Sequence, residues 1–376
     1  MRIIAKTFQG LEGVLQKELQ NLGATQITPL TRAVAFQGSR YTLYAANLFL
    51  RTALRIIVPL LETPIKDEDD LYQVIYNINW TDIFDVNQTF AVFANTSSSQ
   101  FSHSKYIALK GKDAIADRFR KEKGKRPDVD TIDPDYRIDI HIRHNQLTVS
   151  LDSTGSSLHM RGYRKNNVPA PLNEVMAAGL ILLSEWNGDK PLFDPMCGSG
   201  TILSEAWLFS RGIMPQNPGR KFIFKNWKDF DSDLYLRVIK DYKPEMMKRP
   251  DLYGSDIDHK AVDATLSNLS IIKAHDVKVI KRDFFITDPP LSKGLIIINP
   301  PYDVRLHEAD IQRFYKRIGD TMKNQYTGWR ACIFSGNETA LKSIGLRPNR
   351  RYSLLNGPIP SKMLIFDLYE GTRKVS

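Results

Sequence analysis

The sequence predicts an α/β protein: a parallel sheet with helices on both faces, preceded by two smaller α+β units. Three observations carry this. From about residue 166, short apolar runs alternate with helical patterns, as repeated βα units require. Several of those runs end in Asp or Asn, and parallel sheets bind ligands at the carboxyl ends of their strands. Before residue 166 the pattern differs, opening on a strand and an amphipathic helix and closing on two alternating strands.

The first unit spans residues 1–60. Residues 2–8 read as a strand. "GLEGVLQKELQNLG" follows as a helix, with Leu11, Val14, Leu15, Leu19 and Leu22 on one face and Gly23 as its stop. A strand near 33–36, a second helix over 41–51 and the strand "LRIIVPLLE" complete it. The second unit spans 61–165: a helix near 69–78, the strand "TFAVFANTS", a long helix "SKYIALKGKDAIADRFRKEKG", then "YRIDIHIRH" and "QLTVSLDST" joined at His144-Asn145 as a hairpin. The third unit, 166–376, carries the βα alternation.

Composition narrows the function classes. The chain has 376 residues, 42% apolar and 25% charged, an ordinary globular balance with room for two or three domains. No run of 18 apolar residues exists, and the N-terminus lacks the features of a signal peptide, so no membrane span is expected. Two cysteines, Cys197 and Cys332, make neither a disulfide framework nor a zinc site; no metal is expected, and a reducing cytoplasm is the simple reading. A net charge of +10 and a sequence pI of about 9.3 suit a polyanionic partner. The long helix concentrates that charge, with Lys105, Lys110, Lys112 and Arg118 among sparse acids. A run of this kind is often only a solvated face; here Tyr106 and Phe119 are interleaved, and nucleic-acid contact is the preferred reading.

Four strand ends carry the chemistry. "FDPMCGSGT" is a strand, Asp194, and then Gly198 and Gly200 opening a helix, where glycines let a ligand approach the backbone. A tight turn would look the same, and Leu203 in the third glycine position leaves the dinucleotide fingerprint incomplete. "YGSDID" ends a strand in acids: Asp256 is the preferred acceptor for both ribose hydroxyls of a nucleoside and Asp258 the alternative, unless Asp258 only caps the next helix. "KRDFF" sets Asp283 to bind an adenine amino group and Phe284 to pack on the ring.

The last of the four is "IIINPPYDVRL". A planar base with an exocyclic amine needs acceptors that aim its nitrogen lone pair, a stiff backbone behind them and a surface to stack on. The Asn299 side chain and Pro300 carbonyl supply the first, Pro300 and Pro301 the second, and Tyr302 the third. Arg305 follows three residues later, within reach of a phosphate or a base edge, or simply a surface charge. A lone Asn-Pro-Pro-Tyr is weak; the ordered series of four strand ends is strong.

With those motifs in place, the third unit resembles the class I, Rossmann-like, S-adenosylmethionine-dependent methyltransferases that act on exocyclic amines. Together "GLEGVLQKELQNLGA", "INWTDIF", "SKYIALKGKDAIADRFR", "LHMRGYR", "APLNEVMAAGL" and "NPPYDVRL" are similar to bacterial THUMP-domain methyltransferases of large-subunit ribosomal RNA, and among these to the guanine-N2 half of a bifunctional enzyme. The resemblance implies a ferredoxin-like layer, then a THUMP RNA-binding domain, then the catalytic domain. It implies S-adenosylmethionine as cofactor, held by Asp194, Met196, Gly198, Ser199, Gly200, Asp256, Ile257, Asp283 and Phe284. It implies 23S ribosomal RNA, or an assembling large subunit, as partner. Asp303-Val304 stand where relatives often have Gly and a polar residue. Basic residues of the long helix, with Arg350 and Arg351 of "RPNRRY", are expected to contact phosphates.

Three rival classes stay in view. A 5-methylpyrimidine methyltransferase needs a cysteine nucleophile, and both cysteines read as small packed residues. An adenine-N6 methyltransferase acting on RNA or DNA would use the same Asn-Pro-Pro-Tyr corner. An RNA-binding protein that holds the cofactor without catalysis is the third.

Overall fold

The computed structural model describes residues 1–101, 103–164, 171–244, 247–301 and 308–369. They form two compact units, each built on a seven-stranded sheet.

The first unit comprises Met1–Lys6, Glu18–Leu158 and Gln216–Tyr242. Its elements in chain order are β1 (Arg2–Lys6), α1 (Glu12–Asn21, shared with the second unit), β2 (Thr25–Leu30), β3 (Ala33–Gln37), α2 (Arg40–Phe49), β4 (Arg55–Pro64), α3 (Glu68–Tyr76), α4 (Trp80–Ile83), β5 (Phe90–Ser97), α5 (Ser104–Lys123), β6 (Tyr136–Arg143) and β7 (Gln146–Asp152). Sheet order is β2-β3-β1-β4-β7-β6-β5, with only β5 and β6 parallel to each other. The two N-terminal segments that the sequence suggests as separate layers therefore share one sheet, joined where β4 pairs with β7. That junction follows from length: β4 runs ten residues, long enough to pair with β1 through Arg55–Ile57 and with β7 from Ile57 to Pro64. β2 has no strand signature in the sequence, since "TQITPL" is polar, contains a proline and lies at the exposed sheet edge. The β6–β7 turn is as expected: His144 and Asn145 both adopt positive φ, 47° and 62°, the combination a two-residue hairpin with right-handed strand twist demands. Helices α3 and α5 bury Leu71, Ile75, Ile107, Ile115 and Phe119 against Phe90, Ile138, Ile140 and Ile142 of the sheet.

The second unit comprises Thr7–Lys17, His159–Pro215 and Lys243–Ser376. It holds α6 (Glu174–Leu183), β8 (Leu192–Asp194), α7 (Thr201–Ser210), β9 (Leu252–Asp256), α9 (His259–Ile271), β10 (Lys278–Lys281), β11 (Leu295–Ile298), α10 (Glu308–Gln325), β12 (Arg330–Ser335), α11 (Glu338–Lys342), β13 (Arg350–Asn356) and β14 (Ile359–Asp367); α8 (Ser232–Lys240) belongs to the first unit. The sheet order is β10-β9-β8-β11-β12-β14-β13. The first five are parallel, and β14 alone is reversed, antiparallel to both β12 and β13, so the sheet is parallel but for this one strand. β13, in the basic "RPNRRY" region, lacks the apolar pattern of a strand because its edge position leaves Arg350 and Arg351 exposed.

Segment membership departs from chain order in two places. Residues 216–242 pack within the first unit, where Phe224 stacks on Tyr44 of α2 at 4.6 Å and Arg40 pairs with Asp229. Thr7–Lys17 packs within the second, with Leu11 fully buried and in contact with Gly179 of α6. Neither exchange has a local signature, because both depend on apolar partners more than 100 positions away in sequence.

Candidate active site

The ends of β10, β9, β8 and β11 are consecutive in the sheet. The chain turns outward in opposite directions from β8 and β11, so a crevice opens between their carboxyl ends. Asp194 ends β8, Asp256 ends β9, Asp283 follows β10 by two residues, and Asn299 follows β11 by one. With neighbouring strands about 4.8 Å apart, four residues distant in sequence meet on one edge.

The turn after β8 is fixed by its neighbours. Gly198 has φ +54° and donates its amide to Asp256 Oδ2 at 3.0 Å. An added Cβ at Gly198 would meet nothing within 4 Å, so the turn faces open space. Gly200 has φ +75° and starts α7; a Cβ there would overlap Thr265 Cγ2 at 2.6 Å. From α9, Thr265 Oγ1 donates to the Gly198 carbonyl at 2.8 Å and Asn268 Nδ2 to the Ser199 carbonyl at 3.0 Å. These two were missed by sequence reasoning. Their signal is there: polar residues at i and i+3 within the buried stripe of α9.

Asp256 Oδ1 also accepts from the Asp258 amide at 3.0 Å. A carboxylate offers about four lone-pair positions, so two of them remain for a ligand. Asp258 itself caps α9, accepting from the Lys260 amide at 2.9 Å. Asp194 is 1% exposed and accepts from the Met196 amide at 3.3 Å. Burial pushes its carboxyl up to about 8, and the nearby Asp256 charge adds to this. Its hydrogen bond to the Met196 amide holds the start of the turn.

Beyond Asp256, Ile257 is 66% exposed, an apolar surface beside the acid-tipped strands. Asp283 accepts from the Phe285 amide at 2.9 Å. Phe284 is 4% exposed and packs against Tyr326 at 5.4 Å between centroids, so its ring belongs to the core under the site. Ile257, by contrast, is an exposed apolar surface at this edge.

At β11, pairing with β8 in the register Ile296↔Phe193 carries Asn299 two residues beyond the level of Asp194. Its Oδ1 is buried and has no hydrogen-bond partner among the described residues. Leaving a buried acceptor unmatched costs about 1–3 kcal/mol. Pro300 is buried behind it and Pro301 exposed. Tyr302 and Arg305 lie outside the described residues.

A second support was invisible as chemistry in the sequence. Arg164 donates to the Leu172 carbonyl at 2.7 Å and Thr201 Oγ1 at 3.1 Å, and pairs with Glu174 at 3.2 Å. Tyr163 donates to Glu205 at 2.9 Å. Single acids in the otherwise apolar helices α6 and α7 mark this network. Cys197 and Cys332 are free and buried, and burial pushes both thiols up, so neither offers a thiolate at neutral pH.

In the first unit, three of the basic residues singled out on α5 are engaged: Lys110 with Asp69 at 2.7 Å, Lys112 with Asp113 at 2.7 Å, and Arg118 with Glu122 at 2.6 Å. Lys105, at the start of the same helix, is exposed. Arg350 pairs with Glu185, and Arg351 is exposed. No described helix is long and apolar enough to cross a membrane.

Residues 161–365 match the family described as "RMKL-like, methyltransferase domain", residues 65–152 the THUMP domain, and residues 2–57 the RlmL ferredoxin-like domain. A Synechocystis sp. protein named "Putative RNA methyltransferase slr0064" is 39% identical over 370 residues, covering 97% of this chain and 96% of that protein. The ribosomal RNA large subunit methyltransferase K/L of Syntrophotalea carbinolica is 34% identical over 98% of this chain, which spans 54% of its length. The crystal structure of SMU.472 complexed with SAH superposes with a TM-score of 0.86 at 28% identity, covering 99% of each chain.

Proposed function

Because the chain belongs to the RMKL-like methyltransferase family, an S-adenosylmethionine-dependent group of RNA methyltransferases, we propose that it methylates the exocyclic N2 amine of a guanine in 23S ribosomal RNA. The observation that carries the reading is the buried Asn299 Oδ1 at the switch point of the sheet, unpartnered among the described residues. An acceptor left empty in a built corner fits an N–H donor, and an exocyclic amine brings two.

The residues present fit the cofactor. Gly198 leaves open space above the turn, Asp256 keeps lone pairs for vicinal hydroxyls, Ile257 offers an apolar face, and the buried Asp194 lies below. When bound, S-adenosylmethionine supplies a methyl group on a sulfonium leaving group. What remains for the chain is positioning. Asn299 Oδ1 accepts one amine hydrogen and turns the nitrogen lone pair toward the crevice. The Pro300 carbonyl accepts the other, on a backbone whose φ is fixed by two prolines. Charge developing on the amine is met by acceptors already in place, and holding nitrogen and methyl in line provides much of the acceleration. No side-chain base is needed, since the proton leaves to water once the nitrogen is cationic. Tyr302 would stack on the target base and Arg305 would contact the RNA. The first unit, with its THUMP domain, would supply RNA affinity through the basic α5.

The test is mass-spectrometric mapping of methylated nucleosides in ribosomal RNA from a strain lacking this protein, followed by single-turnover assays on the RNA so identified. Loss of one N2-methylguanine in 23S RNA is expected. Loss of an N6-methyladenine instead would transfer the same geometry to the rival base. Asn299→Ala is expected to bind S-adenosylhomocysteine normally and to lose turnover by roughly 100-fold or more. Wild-type turnover in that variant would sink the assignment.

A further inference from the structure

We propose that the polar cavity at the carboxyl end of β12 receives the nucleobase that neighbours the target nucleotide in the RNA strand; this rests on the reading of Asn299 as the target-amine acceptor. The cavity holds about 250 Å³. That lies below the roughly 300–1,000 Å³ of pockets for drug-sized ligands and suits a single planar base.

Its place in the sheet is the first argument. Ser335, the last residue of β12, lines it, and β12 pairs with β11 in the register Ile298↔Ile333. Asn299 and Ser335 thus end adjacent strands, whose axes lie about 4.8 Å apart. Successive bases in a strand are about 3.4 Å apart when stacked and farther when splayed. All the acid-tipped strands lie on one side of β11, and the cavity lies on the other. A strand with its target base at Asn299 can set the next base there without meeting the cofactor edge.

The lining is the second. Leu354 and Pro360 provide apolar walls, while Gln9, Ser335 and Ser361 provide neutral hydrogen-bonding edges. Ser335 Oγ is oriented in advance: it lies 2.6 Å from Tyr315 Oη and accepts from the Asn337 amide at 3.0 Å. The only charges among the lining residues, Glu338 and Lys362, neutralise each other as an ion pair. Apolar walls with neutral polar edges match a base; an anion or a metal ion would need uncompensated charge.

One wall comes from the far end of the chain. The Leu355 amide donates to the Gln9 carbonyl at 3.1 Å, and Gly10, at φ +93°, sits so close to Ser353 that any Cβ would overlap its carbonyl. The tight seating of this turn on the β13–β14 hairpin gives Thr7–Lys17 a reason to belong to the catalytic unit. Contacts to flanking nucleotides are a general means by which base-modifying enzymes choose their substrate.

The test uses the full chain and synthetic RNA oligonucleotides spanning the mapped target, with the preceding or following nucleotide made abasic. For wild-type protein, one of the two abasic RNAs is expected to lose about ten-fold in kcat/KM, equivalent to about 1.4 kcal/mol of contact with one base. Ser353→Tyr, which fills the mouth from an exposed position, should lose a similar factor on intact RNA and nothing further on that abasic RNA. Its affinity for S-adenosylhomocysteine should not change. Additive losses, or indifference of the wild type to both abasic RNAs, would overturn the proposal. Should Ser353→Tyr lose cofactor affinity, Gln9→Ala decides on the same RNAs, since only the main chain of Gln9 holds the hairpin: non-additive losses support the cavity and additive losses overturn it. Asn299→Ala separates the two readings. If it keeps wild-type turnover, the target-amine reading fails; if it loses turnover while the flanking effects are additive, only the cavity proposal fails.

Discussion

The Asp256 carboxylate accepts the Gly198 amide at 3.0 Å, so the acid tip of one strand and the glycine turn of its neighbour form a single device. Removing the carboxylate therefore acts twice, on the turn and on the acceptors offered to the ribose. Asp256→Ala is expected to weaken S-adenosylhomocysteine binding by about 1.5–3 kcal/mol if those hydrogen bonds are charge-assisted. Asp256→Asn, which keeps one carbonyl acceptor, should lose less. Isothermal calorimetry on the two variants checks the order, and equal affinities across wild type and variants would contradict it.

Asp194 makes the stability of the ligand-free protein depend on pH. An unfolded aspartate titrates near about 3.9, whereas the folded one is pushed up to about 8. Between those values the folded chain binds the extra proton, so stability is greatest below the lower value and declines as pH rises toward the upper one. Thermal unfolding between pH 5 and 9 should show that decline. Asp194→Asn, neutral at every pH, should flatten it; the same slope in both proteins would remove Asp194 as the cause.

Leu11 lies far from the catalytic sequence yet is fully buried against α6. Leu11→Ala is expected to cost about 2–5 kcal/mol, as for other buried leucines. For the same reason a fragment of residues 166–376 lacks part of its own unit and carries Gln216–Tyr242 without its packing partners. That fragment should melt lower than the full chain and bind S-adenosylhomocysteine more weakly. Differential scanning fluorimetry with and without the ligand reads both effects, and a fragment as stable as the full chain would refute the expectation.

RNA affinity is expected to come from the basic residues of α5 that remain open. Lys123, followed by Lys125 just past the helix, is exposed and carries no ion pair among the described residues, unlike Lys110, Lys112 and Arg118. Lys123→Ala with Lys125→Ala should lower the slope of log affinity against log salt by roughly 0.7–0.9 for each phosphate that is no longer neutralised. The triple substitution of the paired residues should change it less per residue. Filter binding across a salt series compares them, and a larger effect at the paired positions would place the RNA on the other side of the helix.

Much of the protein was written locally. Periodicity alone marked α5, the β6–β7 hairpin and the βα alternation, because burying one face of a helix or strand fixes which positions are apolar. The candidate site was legible for a related reason: glycines at positive φ and acids at strand ends are demanded by backbone geometry and hydrogen bonding within a few residues. The edge strands β2 and β13 were not legible, since an edge needs no apolar alternation. Nor was the core position of Phe284, which is decided by Tyr326 some forty residues later. The pinning of the glycine turn by Thr265 and Asn268, the orphaned oxygen of Asn299, and the exchange of Thr7–Lys17 and Gln216–Tyr242 between the units all required the tertiary structure. Sequence pattern records which faces must be hidden from water; only the folded chain decides which distant residue does the hiding, and which polar atom is left without a partner.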